Sequence, residues 1–133
     1  MNPKRKGETT EAVVISEMIK RGFDVSVPFG ENTRYDLVLD NGKELKTVQC
    51  KTGRLKDNVV KFNTASTTSN YTETVEKDYS EQVDSFIVYC YENDGLYQIP
   101  IEEAPNSEMK LRLKKPKNNQ KKGINWAKEY SLN

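Results

Sequence analysis

A chain of 133 residues with 35% hydrophobic and 31% charged side chains has room for one modest core and is not polar enough to demand disorder. It contains no histidine, so the commonest general base and zinc ligand are missing, and no Cys-x-x-Cys replaces them. Any catalysis must rest on carboxylates, amides, lysine or hydroxyls. No apolar run approaches the roughly 18–20 residues of a membrane span, and the basic start, Met-Asn-Pro-Lys-Arg-Lys-Gly, lacks the apolar stretch of a signal peptide. Cys50 and Cys90 both fall in apolar, strand-like runs, so a reduced, intracellular (cytoplasmic) protein is the simpler expectation. The net charge of +1 hides segregation. Residues 1–70 carry 12 Lys/Arg against 9 Asp/Glu, residues 71–108 carry 1 against 10, and residues 109–133 carry 8 against 1. The basic tail reads either as solvated surface or as a phosphate-binding segment.

In chain order, the first expected element is a helix over residues 5–21. Glu11, Ala12, Ile15, Met18, Ile19 and Gly22 recur at the helical period, with Gly22 as C-terminal stop. Glu11 falls on that apolar face, where an unpaired carboxylate is costly. It wants a partner: an edge salt bridge, for instance to Lys51, or a metal. Phe23, Val25 and Val27 alternate as a short strand ended by Pro28. A second strand spans residues 34–40, and Asn41-Gly42 signals a two-residue type I′ turn. The return strand covers residues 45–51, with Gly53 breaking it, and residues 59–63 form a fourth strand. The Thr/Ser/Asn-rich run 64–74 reads as a loop. Residues 83–91, the most apolar stretch, give a central strand, and 96–99 return after the turn at Asn93-Asp94-Gly95. Residues 101–104 suit one helical turn, and 125–130 a short helix in the basic C-terminal extension, 109–133. The pattern is α+β: one 133-residue unit with an N-terminal helix against a mixed sheet.

The hairpin carries the chemistry. With a two-residue loop, Asp36 lies opposite Thr47, and Gln49 and Lys51 share that face. Asp36 and Gln49 become diagonal neighbours about 7–8 Å apart, a span that a divalent cation can bridge. Tyr35, Leu37, Leu39, Val48 and Cys50 take the apolar face, while Arg34, Asp36, Gln49 and Lys51 take the polar one. That polar face is either ordinary solvated surface or a site.

Asp36 on a strand, then Gln49-Cys50-Lys51 on the next, behind a helix bearing Glu11, resembles the PD-(D/E)XK nuclease superfamily. Lys-Gly-Glu near the start, Val-Pro-Phe-Gly (27–30), Arg34-Tyr35-Asp36-Leu37, Val48-Gln49-Cys50-Lys51-Thr52-Gly53 and Lys115-Pro116-Lys117-Asn118-Asn119-Gln120 resemble the branch of group I intron-encoded homing endonucleases. Archaeal Holliday junction resolvases are similar in layout. Gln49 departs from the usual Glu or Asp, a variation the homing branch uses.

The resemblance implies a restriction-endonuclease-like core and a metal-dependent endonuclease that hydrolyses phosphodiester bonds in double-stranded DNA, site-specific in the homing manner. Its alternatives are a resolvase acting on branched DNA and a non-catalytic DNA-binding module. It also implies that Glu11, Asp36, Gln49 and the Cys50 carbonyl bind Mg2+, with Mn2+ as substitute, and that Lys51 orients a water or stabilises the transition state. Lys4, Arg5, Lys6, Arg34, Arg54, Lys56, Lys121 and Lys122 are candidate DNA contacts, with Ser66, Thr67 and Thr68 as hydroxyl donors. A homodimer or homotetramer is expected. Tyr71, Tyr79, Tyr89, Tyr91, Tyr97 and Trp126 are either interface anchors or core.

Overall fold

A computed structural model describes residues 1–30, 32–69, 74–77, 83–118 and 122–133, giving the backbone alone for 66–69 and 74–77. Helix α1 spans Pro3–Lys20. Asn2 caps it, its side chain accepting the Arg5 N–H at 2.9 Å, and Pro3 fills a first-turn position where a missing N–H costs nothing. Gly22, at φ 94°, ends it. The buried face is Thr10, Val14 and Met18, with Glu11 and Ile15 half-buried beside it. The periodicity had turned Ala12 and Ile19 inward, yet Ala12 is exposed and Ile19 is 56% exposed. The face is rotated because Thr10, a polar residue, takes a core position: its hydroxyl lies 2.7 Å from that of Thr52.

The strands are β1 (Asp24–Ser26), β2 (Leu37–Asp40), β3 (Leu45–Lys56), β4 (Val59–Asn63), β5 (Ser66–Ser69), β6 (Thr74–Lys77), β7 (Ser85–Cys90), β8 (Gly95–Pro100) and β9 (Glu108–Arg112). Seven form one mixed sheet. Its path is β1-β2-β3-β4-β9, with β7 parallel to β3 and β8 antiparallel to β7. β5 pairs with β6, so the run 64–74 expected as a loop contains one strand and the first residue of its partner. Short 3-10 turns occupy Ile101–Glu103 and Ala127–Glu129. The residues expected as a basic extension are built in: β9 pairs with β4, and Met109, Leu111 and Ala127 are buried.

The β2–β3 connection differs from expectation in an instructive way. Leu37 pairs with Val48 and Asp40 with Leu45, so the loop has four residues, 41–44. A type I′ turn needs positive φ at both central residues, and of Asn41 and Gly42 only Gly42 has it. Asn41 instead uses its side-chain oxygen to accept the Lys43 and Glu44 N–H groups at 2.9 and 3.0 Å. The two-residue turn with both φ values positive lies between β3 and β4, at Asp57 (52°) and Asn58 (63°). The ladder is thus shifted by two residues from the expected one, which preserves every side chain's face.

Both faces of β3 are covered. Val48 joins α1, Leu37, Leu39, Ile87 and Leu96 in one cluster, with Cys50 packed against it. Register partners in a parallel pair share a face, so Gln49 and Lys51 stand with Phe86 and Val88, members of a second cluster built with β4, β8 and β9. β3 runs through Gly53 rather than ending there. A Cβ at that position would lie 2.8 Å from Val60 Cγ1 and 3.0 Å from Val88 Cγ1, so only glycine lets the two layers close over it.

Candidate active site

The site forms where β3 changes neighbours. β2 leaves it after Val48, and β4 joins it at Arg54. Asp36 sits at the point of departure, one residue before the last register pair, Leu37 with Val48. Its own N–H donates to the Val48 carbonyl at 2.8 Å, and its Oδ2 accepts the Cys50 N–H at 2.8 Å. The carboxylate therefore replaces backbone as the next rung of the ladder. Since N–H and C=O of a strand residue point to the same side, the Cys50 carbonyl also faces Asp36.

Glu11 arrives from α1, which packs on the face of β3 opposite Gln49 and Lys51, and lies close enough to Asp36 to feel its charge. Burial raises the Glu11 pKa above the usual carboxylate range, followed by the negative charges of Asp36 and Glu8. Burial likewise raises that of Asp36, against the lowering effects of the Cys50 N–H and the Lys51 charge. The Cys50 thiol is pushed up by burial and then by the same two carboxylates, so it is held un-ionised. Lys51 Nζ lies 5.5 Å from the centroid of the Phe86 ring. Gln49 and Lys51 thus stand against a buried aromatic and not on a solvated face. Two half-buried carboxyls, one of them opposed in its ionisation by the charge of the other, form an arrangement that a cation relieves.

A hard divalent cation fits the chemistry of these donors. Asp36 Oδ1 takes no hydrogen bond from the described residues, Gln49 brings an amide oxygen, and the Cys50 carbonyl faces the same edge. Among the described residues no three His, Cys, Asp or Glu side chains gather as a metal cluster. The candidate set differs from such a cluster by using two neutral oxygens.

The other candidate contacts are scattered. Lys4 and Arg5 are exposed on the first turn of α1, while Lys6 stacks over Tyr91 at 5.0 Å, with the Tyr91 hydroxyl donating to its carbonyl at 2.7 Å. Arg34 is half-buried two residues before Asp36, and Arg54 and Lys56 are exposed on the far half of β3. Lys122 is exposed; Lys121, Tyr71 and Tyr79 lie outside the described residues, as do the side chains of Ser66, Thr67 and Thr68. Tyr97 is core, and Tyr89 stacks on Tyr91 at 4.8 Å between centroids. Trp126 is half-buried. Phe29, within the Val-Pro-Phe-Gly run, is fully exposed in the loop that leads from β1 to Asp36.

One N-terminal helix packed on this sheet is the α+β, restriction-endonuclease-like architecture. The chain belongs to the PD-(D/E)XK endonuclease family, whose profile matches residues 1–133. Nucleases of this family generally use divalent metals. Among solved structures it is similar to a bacterial homing endonuclease, I-Ssp6803I, at 24% identity and a TM-score of 0.79, covering 98% of this chain and 89% of that one. It is also similar to the Holliday junction resolvase Hjc of Archaeoglobus fulgidus, at 16% identity and a TM-score of 0.51, covering 80% of this chain and 84% of that one. No curated protein sequence matches it significantly. Among the described residues, no helix is long and apolar enough to cross a membrane.

Proposed function

We propose that this chain is a Mg2+-dependent endonuclease that cuts double-stranded DNA at specific sites in the homing manner, with Mn2+ as substitute cation and two or four copies assembled so that two sites reach the two strands. The observation that carries the reading is Asp36: its carboxylate is held by the Cys50 N–H and lies close enough to Glu11 and Lys51 to share their fields. Asp36, the Gln49 amide oxygen and the Cys50 carbonyl would hold the cation, with Glu11 as a direct or water-bridged fourth donor. When bound, the cation supplies Lewis acidity to the scissile phosphate.

The rest is done by the chain's own groups. The Cys50 N–H keeps Asp36 aimed at the edge of β3. Burial of both carboxyls, and the negative charge of Asp36 beside Glu11, leave them ready to gain from a cation. Lys51, placed over Phe86, is a positioned positive charge that orients the attacking water and balances charge on the phosphate. Plasmid DNA with Mg2+ tests this. Cleavage to discrete fragments that disappears in Asp36→Asn and Lys51→Ala supports the reading, and cutting that persists in both variants refutes the site. Substrate choice checks the finer claim: symmetric nicking of any four-way junction regardless of sequence, with linear duplex left intact, assigns the chain to junction resolution instead.

A further inference from the structure

Two surface grooves of opposite charge flank the C-terminal segment. One, of about 820 Å³, is lined by Asp84, Glu102, Glu103 and Glu129, with Lys46 its only base. The other, of about 430 Å³, has Arg112, Lys114, Lys115 and Lys128 in its walls together with Trp126 and Ser131, and no Asp or Glu lines it.

The basic groove is built by the fold. Met109 and Leu111 point from β9 into the core, which anchors that wall. The Arg112 N–H donates to the Asn125 carbonyl at 2.9 Å, and Arg112 bridges Trp126 in parallel, which draws residues 125–128 alongside the end of β9. Buried Ala127 pins the second wall. Arg112 Nε donates to the Lys114 carbonyl at 3.2 Å, fixing the guanidinium plane. Among the described residues no ion pair engages any of the four cations. In a chain whose net charge is only +1, four unneutralised cations held on two pinned walls repel one another, a cost that a ligand with several negative charges at regular spacing offsets.

We propose that this groove binds the phosphodiester backbone of the DNA substrate, apart from the cleavage site, with the Trp126 indole packing against the sugar-phosphate edge. A single small anion needs one or two of these donors, whereas a backbone running along the groove uses all four. The inference rests on the DNA reading above but is read out separately from cleavage.

Trp126 is the only tryptophan in the chain, so its fluorescence reports on this groove alone. Linear duplex DNA is titrated into the full chain without divalent cation, and Trp126 emission is followed beside the anisotropy of labelled DNA. Both signals should saturate with one midpoint. In the exposed-residue variant Lys114→Gln/Lys128→Gln, the slope of log K against log[salt] should shrink by about 0.9 per lost phosphate contact. Emission that stays constant while anisotropy shows saturation overturns the proposal, and so does an unchanged slope. If the variant lowers the sedimenting mass and leaves DNA binding intact, the groove receives the acidic groove of a second copy and the proposal falls. A protein that passes both binding tests yet never cleaves would remove the nuclease reading and leave the groove standing; a protein that binds no DNA removes both.

Discussion

The Asp36 carboxylate has two jobs with opposite energetic signs, and two substitutions separate them. As a hydrogen-bond acceptor it satisfies the part-buried Cys50 N–H at 2.8 Å. As a charge it is opposed by burial. Asp36→Ala removes both and leaves an orphaned N–H, costing about 1–3 kcal/mol, less whatever relief the lost repulsion gives. Asp36→Asn keeps an acceptor oxygen and removes the charge. In metal-free buffer at pH 8 it should be at least as stable as the parent chain. At roughly 3–5 °C per kcal/mol for a chain of this size, the two variants should melt several degrees apart.

The pH dependence fixes the sign. A carboxyl whose folded pKa is raised contributes its full stability below the unfolded value, near 4, and loses it as pH rises through the folded value. The advantage of Asp36→Asn over the parent should therefore grow from acidic to neutral pH and vanish toward pH 4. Thermal melts without metal at several pH values, beside cleavage assays with Mg2+, measure both effects. An Asn variant as unstable as the Ala variant at pH 8 would falsify the claim that charge at Asp36 is a cost the fold bears for its site.

Mg2+ should raise the melting temperature of the parent chain at pH 8 and leave Asp36→Asn nearly unmoved; equal shifts in the two would place the cation elsewhere. Gln49→Glu adds a ligand charge in an isosteric shape. It should strengthen Mg2+ binding by calorimetry while lowering metal-free stability at pH 8, and a failure to fold would mark Gln49 as a structural amide. Gly53→Ala drives a methyl into Val60 and Val88, at contacts of 2.8 and 3.0 Å, and should cost about 1–3 kcal/mol in urea unfolding. Thr52→Val removes the hydroxyl pair with Thr10 that ties α1 to β3. It orphans the buried Thr10 hydroxyl, so it should cost about 1–3 kcal/mol and reduce cleavage further than that loss of folded protein explains, because α1 carries Glu11.

Where a segment buries one face and exposes the other, its sequence was legible. β4 was readable at its observed bounds, and the apolar β7 and the amphipathic α1 to within a few residues. β9 was passed over because its high lysine content masked a simple alternation, Met109 and Leu111 inward against Glu108 and Lys110 outward. The hairpin register was misread because Asn-Gly is only one of the ways to turn a chain. An Asx-stabilised four-residue loop uses the same residues, and local sequence does not choose between them. A slip of two residues preserves every face, so Gln49 and Lys51 keep the face expected of them, whereas a slip of one would have moved them to the other. The covering of both faces of β3 was not legible, because it depends on β4 and β9 joining β7 and β8 in a second cluster, a contact made at long range.

That second layer gives the polar residues of β3 their meaning. On a one-layered hairpin, Gln49 and Lys51 face water and need no explanation. Here their strand passes from one set of neighbours to another, and the short stretch between Val48 and Arg54 is free of both β2 and β4. Backbone donors and acceptors on such a stretch must find other partners. Asp36 supplies one by turning its carboxylate onto the Cys50 N–H, which also fixes that carboxylate beside the Cys50 carbonyl. The oxygen donors proposed for the cation therefore lie at the same break in the ladder that the fold must repair. The positions on which the proposed chemistry relies are those at which the sheet lacks a regular partner, so substitutions there should change catalysis and local backbone pairing together.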